Sequence, residues 1–421
     1  SDPSVVGTTA TYTITVTNSG GAGTYALNDS PLFGTGVTVT GSPVCTNTSV
    51  PAGVGDTSPT CVGITGPWAL ADAGTAIAGA TGGVAVVHSY TVAIPFAVAG
   101  TATNTVGSLL CPAPGSTAAG GLNNRADLTA ALATTTDTGC GNAPPPASVA
   151  VVKTITAGPA PTANPNEYTI SYRLDVTNSG GVPGAYTLDE TPHFGAGVTI
   201  NGATCASSVA AGTGTADITP CTAAPAGIAL VNNTPFNIAT AGTAIDVATT
   251  HRYAIVVTFT VVPASVTVAT NGATCNATPP PPMINTGLNN TASLTVTGTT
   301  TTSNVCTPTP PALVVVKSDP SVVGTTATYT ITVTNTGGTA ATYELYDSPL
   351  FGAGITVTGN PTCLNVSVVP GVGDLTPTCN NTTGPWELAT PGTAIAAANG
   401  VAVVDSYTVA IPFTVAAGTP P

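Results

Sequence analysis

The sequence has few charged residues and very few cations. Its 421 residues include 5 Lys and Arg against 18 Asp and Glu, and charged residues make up 5% of the chain, where soluble domains usually carry about 25%. A formal net charge of -13 leaves no basic surface that could neutralise phosphates. Nucleic acids and anionic membrane surfaces are therefore not expected partners.

Long apolar runs and metal-binding cysteine motifs are also missing. No stretch of about 18 apolar residues occurs, so the sequence predicts no membrane-spanning helix. The chain begins at Ser1 without a basic segment, and we expect any export signal to have been removed or to lie outside this sequence. No Cys-x-x-Cys pair occurs and the three His lie far from the cysteines, which disfavours zinc.

The ten cysteines follow a repeating spacing. A separation of 16 residues occurs three times and alternates with separations of 29 and 31. This pattern predicts five local disulfides, and disulfides indicate an oxidising, extracytoplasmic setting. The predicted pairs are Cys45–Cys61, Cys111–Cys140, Cys205–Cys221, Cys275–Cys306 and Cys363–Cys379.

The chain contains three copies of one sequence unit. Residues 1–18 recur letter for letter at 318–335, and a diverged copy at 167–181 lies between them. Proline-rich segments at 144–146 and 308–311 each precede an apolar strand that ends in Lys. We therefore predict repeat A (1–147), repeat B (148–311) and repeat A′ (312–421). Short proline-rich joints are semi-rigid, so a stiff rod is expected.

The two end repeats are incomplete by comparison with repeat B. Repeat A lacks the apolar strand that ends in Lys, and repeat A′ lacks the second cysteine pair and the last strands. A longer array or strand donation between subunits would each explain this. Because neither repeat has a spare strand, we expect a longer polypeptide in which an A/B pair is the repeating unit.

Alternating polarity predicts β-strands throughout the chain. In residues 9–18 the apolar side chains alternate with Thr, which is typical of a half-buried strand. No segment has a sustained helical period, and Asn-Ser-Gly-Gly or Asn-Thr-Gly-Gly turns separate the strands. The pattern predicts an all-β chain of tandem, immunoglobulin-like antiparallel sandwiches.

These motifs resemble a known family. An apolar strand ending in Lys, a TYTITVTNSGG strand and turn, an acid before Ser/Thr-Pro, and a closing LNNTASLTVT strand are similar to the bacterial and archaeal surface repeat called domain of unknown function eleven. The resemblance implies immunoglobulin-like sandwiches in tandem on secreted or cell-surface proteins, without enzymatic activity.

The strongest candidate for chemistry is a Lys–Asn isopeptide crosslink. In repeat B the set is Lys153, Glu190 and Asn290, which resembles a triad of Gram-positive pilin sandwiches. In that chemistry a neutral, buried Lys attacks the Asn carboxamide while a protonated acid polarises it. The alternative is that the Lys is an edge-strand charge that limits sheet-to-sheet aggregation, while the acid caps a turn.

Repeat A and repeat A′ contain parts of the same set. The acid is Asp29 in repeat A and Asp347 in repeat A′, and the Asn pair of repeat A is Asn123-Asn124. An intact mass that lacks one ammonia per domain would support the crosslink, and an unshifted mass would exclude it.

The His and Trp positions favour structural interpretations. His88 and His251 share a column in which repeat A′ has Asp405, so we expect polar structural positions rather than a shared catalytic or metal role. Trp68, Phe236 and Trp386 share another column. An aromatic side chain there could stack on a sugar, but we expect it to close the sandwich end near the first disulfide.

Calcium and glycans are weaker candidates. Asp56 and Asp374 lie inside the first disulfide loops, but one carboxylate per loop is few for calcium, which takes several oxygen ligands. No other metal or cofactor is expected. Candidate N-glycosylation sites are Asn28, Asn47, Asn232, Asn276, Asn289, Asn365, Asn380 and Asn381.

These observations predict a structural protein rather than an enzyme. We expect a subunit of an extracellular filament, sheath or surface layer whose partners are neighbouring copies of itself. The alternative is the stalk of a cell-surface adhesin whose binding module lies outside this sequence.

Overall fold

The protein is an all-β chain, as a computed structural model describes it for residues 1–212, 221, 225–266, 275, 286–369 and 372–416. Within these residues, the regular structure consists of β-strands and one turn of 3-10 helix at Pro263–Ser265. All paired strands are antiparallel, and each pairs only with strands of its own repeat. The predicted tandem β-sandwich fold is confirmed.

Repeat A consists of two facing sheets. The first sheet has the order β1-β2-β7-β4, with β5 also paired to β7, and the second has the order β6-β3-β8-β9. The strands are β1 (Ser4–Val6), β2 (Thr9–Asn18), β3 (Gly23–Pro31), β4 (Val37–Val39), β5 (Val44–Asn47), β6 (Trp68–Ile77), β7 (Val86–Val98), β8 (Leu122–Ala130) and β9 (Ala133–Gly141).

Repeat B has a similar arrangement, but its edge strand β10 lies in the position of β1 and pairs along most of the neighbouring strand. Its sheets have the orders β10-β11-β16-β13-β14 and β15-β12-β17-β18. The strands are β10 (Val149–Pro161), β11 (Glu167–Asn178), β12 (Gly184–Phe194), β13 (Val198–Ala211), β14 (Ala226–Ile228), β15 (Phe236–Ile245), β16 (Thr250–Val261), β17 (Leu288–Val296) and β18 (Thr299–Val305).

Repeat A′ keeps the first sheet and, among the described residues, two strands of the second. The first sheet has the order β19-β21-β26-β23, with β20 on β21 and β24 on β26, and the second is β22-β25. The strands are β19 (Leu313–Lys317), β20 (Ser321–Val323), β21 (Thr326–Asn335), β22 (Ala341–Asp347), β23 (Ile355–Val357), β24 (Thr362–Asn365), β25 (Trp386–Ile395) and β26 (Val403–Val415).

Period-two alternation determines which side chains enter each core. In β2, Tyr12 and Val16 are buried while the Thr residues between them face outward. In β16 the same alternation buries Tyr253, Ile255 and Val257 against the second sheet. Each repeat has its own hydrophobic cluster, so burial of apolar area stabilises each sandwich separately.

The proline-rich segments pack on the Asn-Ser-Gly-Gly and Asn-Thr-Gly-Gly turns of the repeats that follow them. The Gly181 amide donates to the Pro145 carbonyl over 3.1 Å, and the Gly338 amide donates to the Thr309 hydroxyl over 3.0 Å. A Cβ at Gly180 would lie 2.2 Å from the Pro146 carbonyl oxygen, so this close approach requires glycine. The rod and the predicted repeat boundaries, which fall between β9 and β10 and between β18 and β19, stay predictions.

All five cations of the chain form ion pairs with carboxylates. Two of these pairs involve a lysine and a buried acid, and the other three lie at the surface. The pairs are Arg125–Asp127, Lys153–Glu190, Arg173–Asp175, Arg252–Asp175 and Lys317–Asp347.

Candidate functional site

Lys153 projects from the edge strand of one sheet into the interior of repeat B. It lies on β10, opposite Leu174 of β11, and its backbone amide donates to the Ser303 hydroxyl of the facing sheet over 3.0 Å. Its side chain is fully buried, and its Nζ lies 4.8 Å from the centre of the Tyr172 ring. The amine is therefore removed from water and held against an aromatic face.

Glu190 and Asn290 come from neighbouring strands of the opposite sheet. In the β12–β17 register, Pro192 faces Asn290 and Glu190 faces Ala292, which places the two side chains on the same face. Lys153 Nζ and Asn290 Nδ2 both donate to Glu190 Oε1, over 2.5 Å and 2.6 Å. All three residues are buried, and together they connect the two sheets.

Burial favours the neutral forms of both ionisable groups. Desolvation lowers the pKa of Lys153 and raises the pKa of Glu190, against the opposing attraction between the two groups. Transfer of one proton from the ammonium to the carboxylate gives a neutral amine and a carboxylic acid without moving a heavy atom. Glu190 Oε2 and Asn290 Oδ1 have no hydrogen-bond partner, so a half-turn of the carboxamide would offer its oxygen to the acid proton.

The arrangement contains the components for amide formation. A neutral amine is a nucleophile, a carboxamide is an electrophile, and a neutral carboxylic acid can polarise the carbonyl and transfer protons. The structure brings together the three residues that the sequence pattern selects in repeat B. Whether the covalent bond forms stays a prediction.

The end repeats each contain part of this site. In repeat A, Asn124 Nδ2 donates to Asp29 Oδ1 over 2.7 Å, and burial raises the pKa of Asp29 to about 7. The other residue of the pair, Asn123, instead donates to the backbone at Ser116 and Ala118. In repeat A′, Lys317 pairs with Asp347.

All ten cysteines are paired in disulfides. The structure joins the same five pairs that the spacing selects. Three bridges close 16-residue loops. In repeat A and repeat A′, these cysteines pack against the cores that contain Trp68 and Trp386. Both Trp side chains are buried and belong to those cores.

The Asp residues of the first disulfide loops accept hydrogen bonds from backbone amides. Asp56 accepts from the amides of Ser58 and Asp72, and Asp374 accepts from the amides of Thr376 and Thr390. Across the described part of the chain, no cluster of three metal-ligating His, Cys, Asp or Glu side chains occurs. These carboxylates attach the loop to the neighbouring strand.

A buried tyrosine cluster contains the His column. Tyr25 Oη lies 2.8 Å from His88 Nδ1 and 2.7 Å from Tyr90 Oη, and repeat B has the same arrangement. In repeat A′, Tyr343 donates to Asp405 over 2.7 Å. The sequence interpretation of the His residues did not identify this cluster, although the Tyr residues recur in every copy and could have indicated it.

The candidate glycosylation sites differ in exposure. Asn380 is exposed and Asn289 is buried. The amides of Asn47 and Asn365 donate to loop carbonyls. Asn28, Asn232 and Asn381 are half-buried, and Asn276 lies outside the described residues.

His193 and Phe236 both have structural contacts in repeat B. His193 is hydrogen-bonded to Asn233, and Phe236 is half-buried beside the core of repeat B.

No family model matches the chain, and no curated protein matches it. A solved structure, the serine-rich repeat protein Srr2 from Streptococcus agalactiae, is similar over 70% of this chain and 83% of that chain, at 12% identity and a TM-score of 0.19. Such a likeness carries no argument about function. The resemblance to domain of unknown function eleven stays a hypothesis. No described helix is long and apolar enough to cross a bilayer.

Proposed function

We propose that the chain is a structural segment of an extracellular filament, sheath or surface layer, in which covalent bonds hold each β-sandwich together. The observation that carries this proposal is the buried set of Lys153, Glu190 and Asn290 between two sheets. The five disulfides support an oxidising, extracellular location. We assign no catalytic turnover to the chain.

The crosslinking reaction in repeat B is a single intramolecular amide exchange. The lone pair of neutral Lys153 Nζ attacks Asn290 Cγ while the acid proton of Glu190 stabilises the developing oxyanion. The bond from Cγ to Nδ2 then breaks, and Glu190 transfers a proton from the attacking nitrogen to the leaving one. The products are one amide bond and one ammonia, so no oxidant or cofactor is consumed.

Intact mass spectrometry of the full chain tests the crosslink. We expect the wild-type mass to lack one ammonia beyond the hydrogens lost in five disulfides, and the loss to map to a fragment that joins Lys153 to Asn290. Asn290→Ala should restore the ammonia mass. Asn201→Ala, which changes an exposed Asn of the same repeat, is the matched control and should keep the loss. An unshifted wild-type mass would refute the crosslink.

Electron microscopy of the purified chain tests the assembly. Polymers with a regular repeat would support a filament, sheath or layer whose partners are copies of the same chain. Separate particles under every solution condition would instead favour the stalk of an adhesin. The crosslink and the assembly are measured separately, so one can fail while the other stands.

A further inference from the structure

The buried tyrosine cluster of repeat A anchors the first disulfide loop. The Asp56 amide of that loop donates to Tyr90 Oη over 2.9 Å. Tyr90 Oη lies 2.7 Å from Tyr25 Oη, which in turn lies 2.8 Å from His88 Nδ1. A Cβ on Gly55 would lie 2.7 Å from Tyr90 Oη and 3.1 Å from His88 Nδ1. The backbone of the loop therefore packs directly on the cluster.

Repeat A′ has the same chain of hydrogen bonds, with an acid at its end. The Asp374 amide donates to Tyr407 Oη over 2.8 Å. Tyr407 Oη lies 2.8 Å from Tyr343 Oη, and Tyr343 donates to Asp405 Oδ2 over 2.7 Å. A backbone amide can only donate a hydrogen bond and a carboxylate can only accept one. The direction of the chain is therefore fixed at both ends, and each hydroxyl accepts from the loop side and donates toward the acid.

The matching geometry gives the chain of repeat A the same direction, with His88 as its last acceptor. Tyr90 accepts from the loop amide, so its hydrogen points to Tyr25, and the hydrogen of Tyr25 points to His88 Nδ1. Nδ1 accepts only in the neutral imidazole that carries its hydrogen on Nε2. Burial lowers the pKa of His88. The docked loop is therefore favoured above the ordinary His pKa of about 6.5 and loses this stabilisation as the pH falls below it.

A proton on His88 reverses the chain of hydrogen bonds, whereas a proton on Asp405 leaves its direction unchanged. An imidazolium donates at both nitrogens, so His88 Nδ1 would point a hydrogen at the hydroxyl hydrogen of Tyr25. Reversal of both hydroxyls then leaves the hydrogen of Tyr90 facing the Asp56 amide, which is another donor, and a buried unpaired donor is unfavourable. A carboxylic acid keeps one acceptor oxygen, and Asp405 Oδ1, which has no hydrogen-bond partner, can take the proton.

We propose that a proton on His88 releases the first disulfide loop of repeat A from the tyrosine cluster by breaking the hydrogen bond between the Asp56 amide and Tyr90. The first disulfide loop of repeat A′, which has Asp405 at the same position, stays docked in acid. The Cys45–Cys61 bridge and the contacts of the Asp56 carboxylate keep the released loop tethered. We therefore expect local loosening of the loop rather than unfolding of the sandwich.

The groups packed around His88 allow a proton to reach it. A cavity of about 740 Å³ is lined by His88 and by the loop. Among the described lining residues, Asp56 is the other ionisable one, and backbone amides donate to both of its carboxylate oxygens. Tyr25 faces the imidazole from β3, Val16 lies opposite it on β2, and β6 contributes the uncharged residues 74–77. The imidazole is therefore the group in this set that titrates near neutral pH.

Hydrogen exchange of the full chain compares the two loops in one sample. Mass spectrometry with electron-transfer fragmentation resolves the amides of Asp56 and Asp374, and the rates are corrected for the intrinsic effect of pH. The measurement is made at about pH 7.5 and about pH 4.5, on either side of the ordinary His pKa of about 6.5. We expect the protection of the Asp56 amide to fall severalfold in acid, because protonated His88 favours the released loop. The protection of the Asp374 amide should stay unchanged.

Exchange of the two end groups sharpens the test. His88→Asp should make the Asp56 amide insensitive to acid, and Asp405→His should make the Asp374 amide sensitive. Each residue type already ends the chain of hydrogen bonds in one repeat, so both variants keep an acceptor for the tyrosine hydroxyl. His193→Asp, at a half-buried His of repeat B, is the matched control and should leave both amides as they are in the wild type.

Several results would overturn the proposal. These are an Asp56 amide whose protection is the same at both pH values, a parallel loss at Asp56 and Asp374, or a His88→Asp variant that keeps the acid sensitivity. If His88→Asp fails to fold, Asp405→His decides the question, since an Asp374 amide that stays protected in acid would refute the role of the histidine. Neither measurement depends on the crosslink of repeat B, so the two proposals stand or fail separately.

Discussion

Removal of the crosslinking asparagine should lengthen repeat B under mechanical force. An amide between Lys153 and Asn290 would carry a pulling force across the repeat, and the segment between them, 137 residue-to-residue steps long, would stay unextended. At about 3.5 Å per residue, that segment corresponds to about 480 Å of hidden length. With disulfides reduced, Asn290→Ala should therefore release about 480 Å more chain from repeat B than the wild type does.

Single-molecule force spectroscopy of the full chain measures this difference directly. The wild type should lack the long extension from repeat B, and Asn290→Ala should gain it. Asn201→Ala should keep the wild-type pattern because its side chain lies outside the buried site. A wild-type chain that extends repeat B as far as Asn290→Ala does would show that no covalent bond joins the two sheets.

Three further predictions concern stability, each measured by urea unfolding with the transitions assigned to repeats by hydrogen exchange. Replacing Cys205 and Cys221 by Ser opens a 16-residue loop and should destabilise repeat B by about 3 kcal/mol; no change would contradict this. Burial raises the pKa of Asp29 from 3.8 to about 7, so its contribution to stability is present below about pH 4 and lost as the pH rises through about 7, by about 4 kcal/mol. Asp29→Asn should flatten that pH dependence. A variant whose stability falls as steeply with pH as that of the wild type would show that Asp29 is not the cause. Tyr25→Phe removes the hydroxyl that contacts His88 and should cost about 1–3 kcal/mol, whereas an unchanged transition would show that the contact contributes nothing.

The strands and the membership of the site could be predicted because both depend on local patterns. Alternating Thr and apolar residues place Tyr12 and Val16 inward, and the same period places Asn290, not an adjacent residue, on the face of Glu190. The spacing of 16 residues selects cysteines that the structure joins.

Burial depth and long-range hydrogen bonds could not be predicted in the same way. The sequence left two interpretations of Lys153 open, because a strand pattern does not show whether an edge lysine points to solvent or beneath the facing sheet. Tyr25 and Tyr90 are 65 positions apart, and their contact depends on how the two sheets face each other.

The complete pairing of the Lys and Arg side chains leaves an excess of acidic groups on the chain. Since every Lys and Arg already has a carboxylate partner, a neighbouring copy encounters an uncompensated excess of acidic groups. At low ionic strength this excess repels, and about 0.1 M salt shortens the range of the repulsion to about 10 Å. Side-by-side association of these molecules should therefore strengthen as salt is added, unlike association that depends on attraction between opposite charges.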